Sequence, residues 1–153
     1  MRHLGKTLTG AAFVAAGAWA ATSLAQPAAA PFTARQAEAG RVAYAANCAS
    51  CHQANLSGVG EQPPLAGPSF MAAWGRRTTK EFYDDIRAEM PYGKAGSLDA
   101  ATYQNITAFV MSANGAKPGA TAFDGSQAVG ISTIATGQIP PAIANARRGG
   151  GDA

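Results

Sequence analysis

The chain is short of the residues on which most protein chemistry depends. Its 153 residues include two cysteines, Cys48 and Cys51, and two histidines, His3 and His52. A structural zinc site wants four ligands, often two pairs of Cys or His. Two cysteines and the one histidine beyond the N-terminal segment do not make that set. Nucleophilic cysteine chemistry would need a separate histidine base, and there is none. Only 14% of the residues are charged, and the basic ones mostly alternate with acids, as in "TTKEFYDDIRAE". With no basic stripe, nucleic acid is excluded as a partner. No segment alternates with period two, so the α/β pattern that would place a redox Cys-x-x-Cys at a strand end is missing. There are no internal repeats.

What is present begins with a targeting segment. Arg2, His3 and Lys6 precede an Ala-rich apolar run from Leu8 to Ala21, followed by "TSLAQPAAA". A basic head, a short apolar stretch and a small-residue site describe a secretory signal peptide, residues 1–25, cleaved after Ala25 or alternatively after Ala30. The alternative is a retained transmembrane anchor, since no charge appears from Thr7 to Ala34. The strongly apolar part is shorter than the roughly 20 residues that span a bilayer, so cleavage, with no membrane span after it, is the expectation. The full chain has 12 basic and 9 acidic residues. Loss of Arg2 and Lys6 leaves 10 − 9 = +1. Export implies the periplasm, an oxidising compartment in which a plain Cys48–Cys51 disulfide is an alternative.

One small helical domain is expected over residues 32–115. Thr33 with Gln36 forms a capping box that opens a helix through "ARQAEAGRVAYAAN". "LSGVGEQPPLAGP" is too rich in glycine and proline for regular structure. Thr78 with Glu81 caps a second helix, whose Phe82 and Ile86 share a face and which Pro91 stops. A third helix, from about Leu98 to Ala113, carries the stripe Tyr103, Ile106, Phe109 and Val110 and stops at Asn114-Gly115. From Ala116 onward, few charges and almost no aromatic residues suggest too little apolar surface to offset ordering entropy. Residues 116–153 therefore read as a flexible low-complexity tail. The long irregular middle of so small a domain needs something to pack against, and a large apolar cofactor would supply it.

The compact motif is "NCASCHQ". On a helical turn Cys48 and Cys51 are i, i+3 and Cys48 and His52 are i, i+4, so all three project from one face. C-x-x-C-H is the attachment site of a c-type haem: two thiols for the vinyl groups of the porphyrin, and the adjacent histidine under the iron. A disulfide between these cysteines would leave His52 without a role. With one histidine remaining, the sixth iron ligand is a methionine or nothing. Met111 lies inside the last helix, where methionine is usually a packing residue. Met71 is only 71 − 52 = 19 residues past His52 and also reads as packing. Met90, 90 − 52 = 38 residues past His52 and immediately before Pro91, is the expected ligand. The alternative is an apolar plug beside a five-coordinate haem.

"AGRVAYAANCASCH", "PPLAGPSF", "MPYGKAGSL" and "ITAFVMSANG" resemble, in order, segments of small class I bacterial cytochromes c. The resemblance implies an all-α class I cytochrome c fold, three to four short helices and long loops around one covalently bound haem. It implies that Gly40 in the first helix crosses Phe109 in the last, with Tyr44 beside them. It also implies a proline carbonyl accepting the Nδ1–H of His52, from Pro63 or alternatively Pro64, and Leu65 packed on the haem face. Trp74, Arg76 and Arg77 are candidates for the haem propionates; the arginine pair before a capping threonine is equally a solvated helix start.

These readings converge on a single-electron carrier rather than an enzyme, because an iron with both axial positions filled has no open site for substrate. The alternatives are a haem enzyme or gas-binding protein with an open distal site, peroxidase-like in character, and a non-haem interaction module. "WGRRTTKEFYDDIRAEMP" and "GSL" look most like cytochromes c that work with quinoprotein dehydrogenases. That resemblance implies a pyrroloquinoline-quinone-dependent dehydrogenase as donor, a terminal oxidase or another cytochrome of the respiratory chain as acceptor, and the tail as a tether.

Overall fold

The computed structural model describes residues 28–146; the expected signal peptide, residues 1–25, lies outside them. Among the described residues there are seven helical segments and only isolated bridges between extended residues. Four helices have two turns or more: α1 (Ala34–Asn47), α3 (Pro68–Trp74), α4 (Thr79–Glu89) and α5 (Ala100–Ala113). Three are single turns: α2 (Ala49–His52), α6 (Ile131–Ile134) and α7 (Pro141–Ala144). This is the all-α arrangement expected, with three helices the sequence reading did not foresee: α3, and α6 and α7 within the segment read as a tail. Pro68 begins α3 at its first turn, where a missing N–H costs nothing because that donor has no helical partner anyway.

The local start signals act as their chemistry dictates. Thr33 and Gln36 close a reciprocal capping box on α1, and Thr78 and Glu81 do the same on α4. Asp99 caps α5 by accepting from the Thr102 N–H, so the helix begins at Ala100 where the sequence reading began it at about Leu98. The stripe Tyr103, Ile106, Phe109 and Val110 is buried throughout, as are Phe82 and Ile86.

The frame is the crossing of α1 over α5. At Gly40 the backbones approach so closely that a Cβ would lie 1.8 Å from the Asn105 carbonyl oxygen and 2.8 Å from Phe109 Cβ. No other residue fits there. Beside the crossing, the Tyr44 and Phe109 rings meet with centroids 5.3 Å apart. α4 packs against α5 as well.

The segment expected to be a flexible tail is not one over residues 116–146. It runs as a strap around the helices, and its anchors are apolar: Phe123, Ile131 and Ile134 are all buried. Each such side chain contributes about 1.5–3 kcal/mol when removed from water. Its backbone pairs in turn with each helix it passes. Lys117 accepts from the Ala30 N–H, and the Gln36 carboxamide takes both the N–H and the C=O of Phe123. Thr79 bonds Gln127 and Val129, Arg77 O accepts from Ile131, Gly75 O from Ser132, and Asn114 O from Thr136 and Gly137. Farther on, Ile143 joins Arg41, Tyr44 and Phe109 in lining a cavity of about 180 Å³. Composition misled here because a strap needs no core of its own; it completes the core of the helices it crosses.

Candidate functional site

α1 stops at Asn47 because Cys48 leaves helical conformation (φ −126°, ψ −32°), closing α1 and opening α2 at one residue. The turn is tight: the N–H groups of Cys51 and His52 both reach the Cys48 carbonyl, at 3.2 and 2.9 Å. Cys48, Cys51 and His52 thus lie on one turn. Both thiols are free, Cys48 half-buried and Cys51 exposed, while His52 is buried. Before any haem is attached, burial, reinforced by the neighbouring Cys51, pushes the Cys48 thiol up to about 11.

His52 is oriented by one bond. Its Nδ1 lies 2.9 Å from the Pro63 carbonyl oxygen. A carbonyl can only accept, so Nδ1 carries the proton and the lone pair is left on Nε2, the tautomer a metal ligand requires. Of the two prolines considered, Pro63 is therefore the acceptor. Pro64 follows it half-buried, and Leu65 packs against the apolar core. Next to His52, the buried Tyr44 hydroxyl donates to the Gln53 carbonyl at 2.9 Å. Burial is also the main cause that raises the Tyr44 pKa, with Cys48 adding to it.

Met90 stands at the end of α4, half-buried against the core. Its N–H is bound by Ile86 O at 3.0 Å and its own carbonyl accepts from the Tyr103 hydroxyl at 2.6 Å. The two tyrosines thus pin the backbone at His52 and at Met90. Sequence reading treated both as apolar core. The signal was there, since a buried phenol requires a hydrogen-bond partner, but which carbonyl it meets is not written locally.

Met111 is fully buried in α5. Met71 faces the strap: a Cβ on Gly137 would come within 2.7 Å of Met71 Cγ. Trp74 is half-buried and edge-on to Phe82, with ring centroids 4.9 Å apart. The Arg77 guanidinium stacks on Trp74 at 4.4 Å and lies 3.7 Å from the Glu81 carboxylate. Arg76 is exposed.

The donor set fits a covalently held haem in its chemistry: two thiols on one turn, an imidazole with Nε2 available, and a thioether at the end of α4. Among the described residues no cluster of three or more His, Cys, Asp and Glu side chains forms a metal site. No helix of the described residues is long and apolar enough to cross a membrane.

Residues 35–110 match the family model described as cytochrome c oxidase, cbb3-type, subunit III. The chain matches none of the curated proteins and none of the solved structures it was compared with. The matched segment runs from α1 through the Cys48–His52 turn and α4 into α5. The chain carries a c-type cytochrome domain, and with it covalently attached haem c and the work of an electron carrier.

Proposed function

We propose that this protein is a periplasmic one-electron carrier in which Cys48 and Cys51 hold the haem, and His52 and Met90 are the axial ligands. The observation that carries this reading is the His52 Nδ1 to Pro63 bond of 2.9 Å. It presents Nε2 as a ligand and strengthens the imidazole as a donor. The haem, when bound, supplies a single-electron couple at its iron. The chain's own contribution is to hold the donors still: Tyr44 at Gln53, Tyr103 at Met90 and the α1–α5 crossing behind them. A rigid, fully ligated site suits electron transfer and leaves no position for substrate, which is why the carrier reading is preferred to a peroxidase-like or gas-binding one.

The oxidase named in the family description supports an acceptor on the oxidase side of a respiratory chain. A pyrroloquinoline-quinone-dependent dehydrogenase as donor rests on the resemblance of "WGRRTTKEFYDDIRAEMP" and "GSL". Residues 116–146 are packed on the domain and do not serve as a tether.

The test is spectroscopic. The holoprotein is expected to give a c-type pyridine haemochrome and, when ferric, the weak red charge-transfer band of a methionine–iron bond. Met90→Ala is expected to abolish that band, and Met71→Ala and Met111→Ala to retain it. Loss of the band in either of the latter alone would assign the ligand elsewhere. Stopped-flow reduction by a quinoprotein dehydrogenase, compared with unrelated donors, tests the partner separately.

A further inference from the structure

Asn114 stands at the end of α5, where sequence reading saw only a helix stop. Its side chain is fully buried, an unusual place for an amide unless every polar atom is paired. Here each one is. Oδ1 accepts from the Gly67 N–H at 2.9 Å, and Nδ2 donates to Leu65 O at 3.0 Å and to Val110 O at 2.9 Å. A peptide N–H can only donate and a carbonyl can only accept, so these partners also fix which way the amide points. The Asn114 carbonyl meanwhile receives the Thr136 and Gly137 N–H groups of the strap, at 3.0 and 2.9 Å.

The segment it grips is the one that orients His52. Pro63, the acceptor for Nδ1, is two residues from Leu65, and Pro64 between them has a fixed φ. That short, stiff link carries the position of Leu65 back to the Pro63 carbonyl. Leu65 is held on its other side by its N–H to Leu56 O, 2.9 Å. Gly67 adopts φ +88° and lies under the strap: a Cβ on it would meet Ile139 at 3.3 Å.

We propose that Asn114 is a positioning residue for His52: from the end of α5 its carboxamide holds the Leu65–Gly67 backbone, and through it the Pro63 carbonyl, at the distance that orients the imidazole. The strap closes over the opposite side of the same residue. The proposal rests on His52 being the axial ligand. Slackening the loop weakens the Nδ1 bond, makes the imidazole a poorer donor and so favours the reduced state.

The experiment compares holoprotein carrying Asn114→Ala with holoprotein carrying Gln36→Ala. The second variant frees the strap at Phe123 and opens the α1 capping box without touching any Asn114 contact, and serves as a control for lost stability. Asn114→Ala is expected to raise the midpoint potential while keeping the methionine band. Gln36→Ala is expected to lower the melting temperature with the potential unchanged. Equal potentials in all three proteins, or equal shifts in both variants, would overturn the positioning role. If Asn114→Ala fails to mature, amide exchange in the wild-type holoprotein decides. A Gly67 N–H as slow as those of the last turn of α5 supports the proposal, and one as fast as an exposed loop overturns it. The His52 ring protons of the ferric wild type separate the two levels. Without iron-shifted resonances the ligand reading itself fails; with them, a null result concerns Asn114 alone.

Discussion

The α1–α5 crossing and the 116–146 strap both hold the domain together, but by opposite means. The crossing is an exclusion: Gly40 is there because nothing larger fits against Asn105 and Phe109, and the surrounding contacts are broad and apolar. The strap is a string of separate anchors, with Phe123, Ile131 and Ile134 buried at intervals and backbone hydrogen bonds between them. A crossing of that kind tolerates no change at its centre, since helix backbones must separate to admit one atom. A series of anchors yields one at a time, because each occupies its own place on the helices. The Cys48–His52 turn and the Met90 junction are tied by tyrosines from α1 and α5, so damage to the crossing reaches the candidate site and damage to the strap need not, except where the strap meets Asn114.

The strongest way to break this comparison is at the crossing. Gly40→Leu forces a side chain where a Cβ is already 1.8 Å from backbone. Overpacking ordinarily costs about 1–3 kcal/mol and occasionally more; here the obstacle is a helix backbone, and no folded, haem-loaded protein is expected on expression with haem maturation factors. A normal yield with native circular dichroism would show that the helices can move apart. Ile131→Ala, in the strap, removes a fully buried side chain and is expected to cost about 2–5 kcal/mol in denaturant unfolding, with the methionine band unaltered. If the band disappears at this site, the strap is coupled to the ligands more widely than its anchors indicate. The finest probe is Thr79→Val. The Thr79 hydroxyl donates to Gln127 O and accepts from the Val129 N–H, and its loss leaves two backbone groups of the strap unpaired at about 1–3 kcal/mol. Faster amide exchange at Val129, with Phe123 and Thr136 unaffected, is the expected signature of anchors that act independently.

The readable parts of this molecule are those whose cause lies within a few residues. Thr33 with Gln36 and Thr78 with Glu81 are capping boxes because the reciprocal bonds span three positions. The Cys48–His52 turn is compact because two peptide N–H groups share one carbonyl. α3 escaped notice because Pro68 read as a breaker, although proline is well suited to a first helical turn. The strap escaped because its composition was weighed as if it had to fold alone. Three large apolar residues cannot make a core, but they can complete one.

The amino-acid sequence by itself determined the helical class, the capped starts of α1 and α4 and the thiol–thiol–imidazole spacing that suits haem c, since each follows from local geometry; the glycine at the crossing came from the resemblance to class I cytochromes c. Only the tertiary structure decided that Pro63 rather than Pro64 accepts the His52 Nδ1–H hydrogen bond, that Tyr103 pins Met90, and that Asn114 joins the proximal loop to the strap. Those are hydrogen bonds between residues 11, 13 and 47 positions apart. Such bonds leave no periodic trace in the chain, because a buried donor can be satisfied by any carbonyl that the fold brings to it.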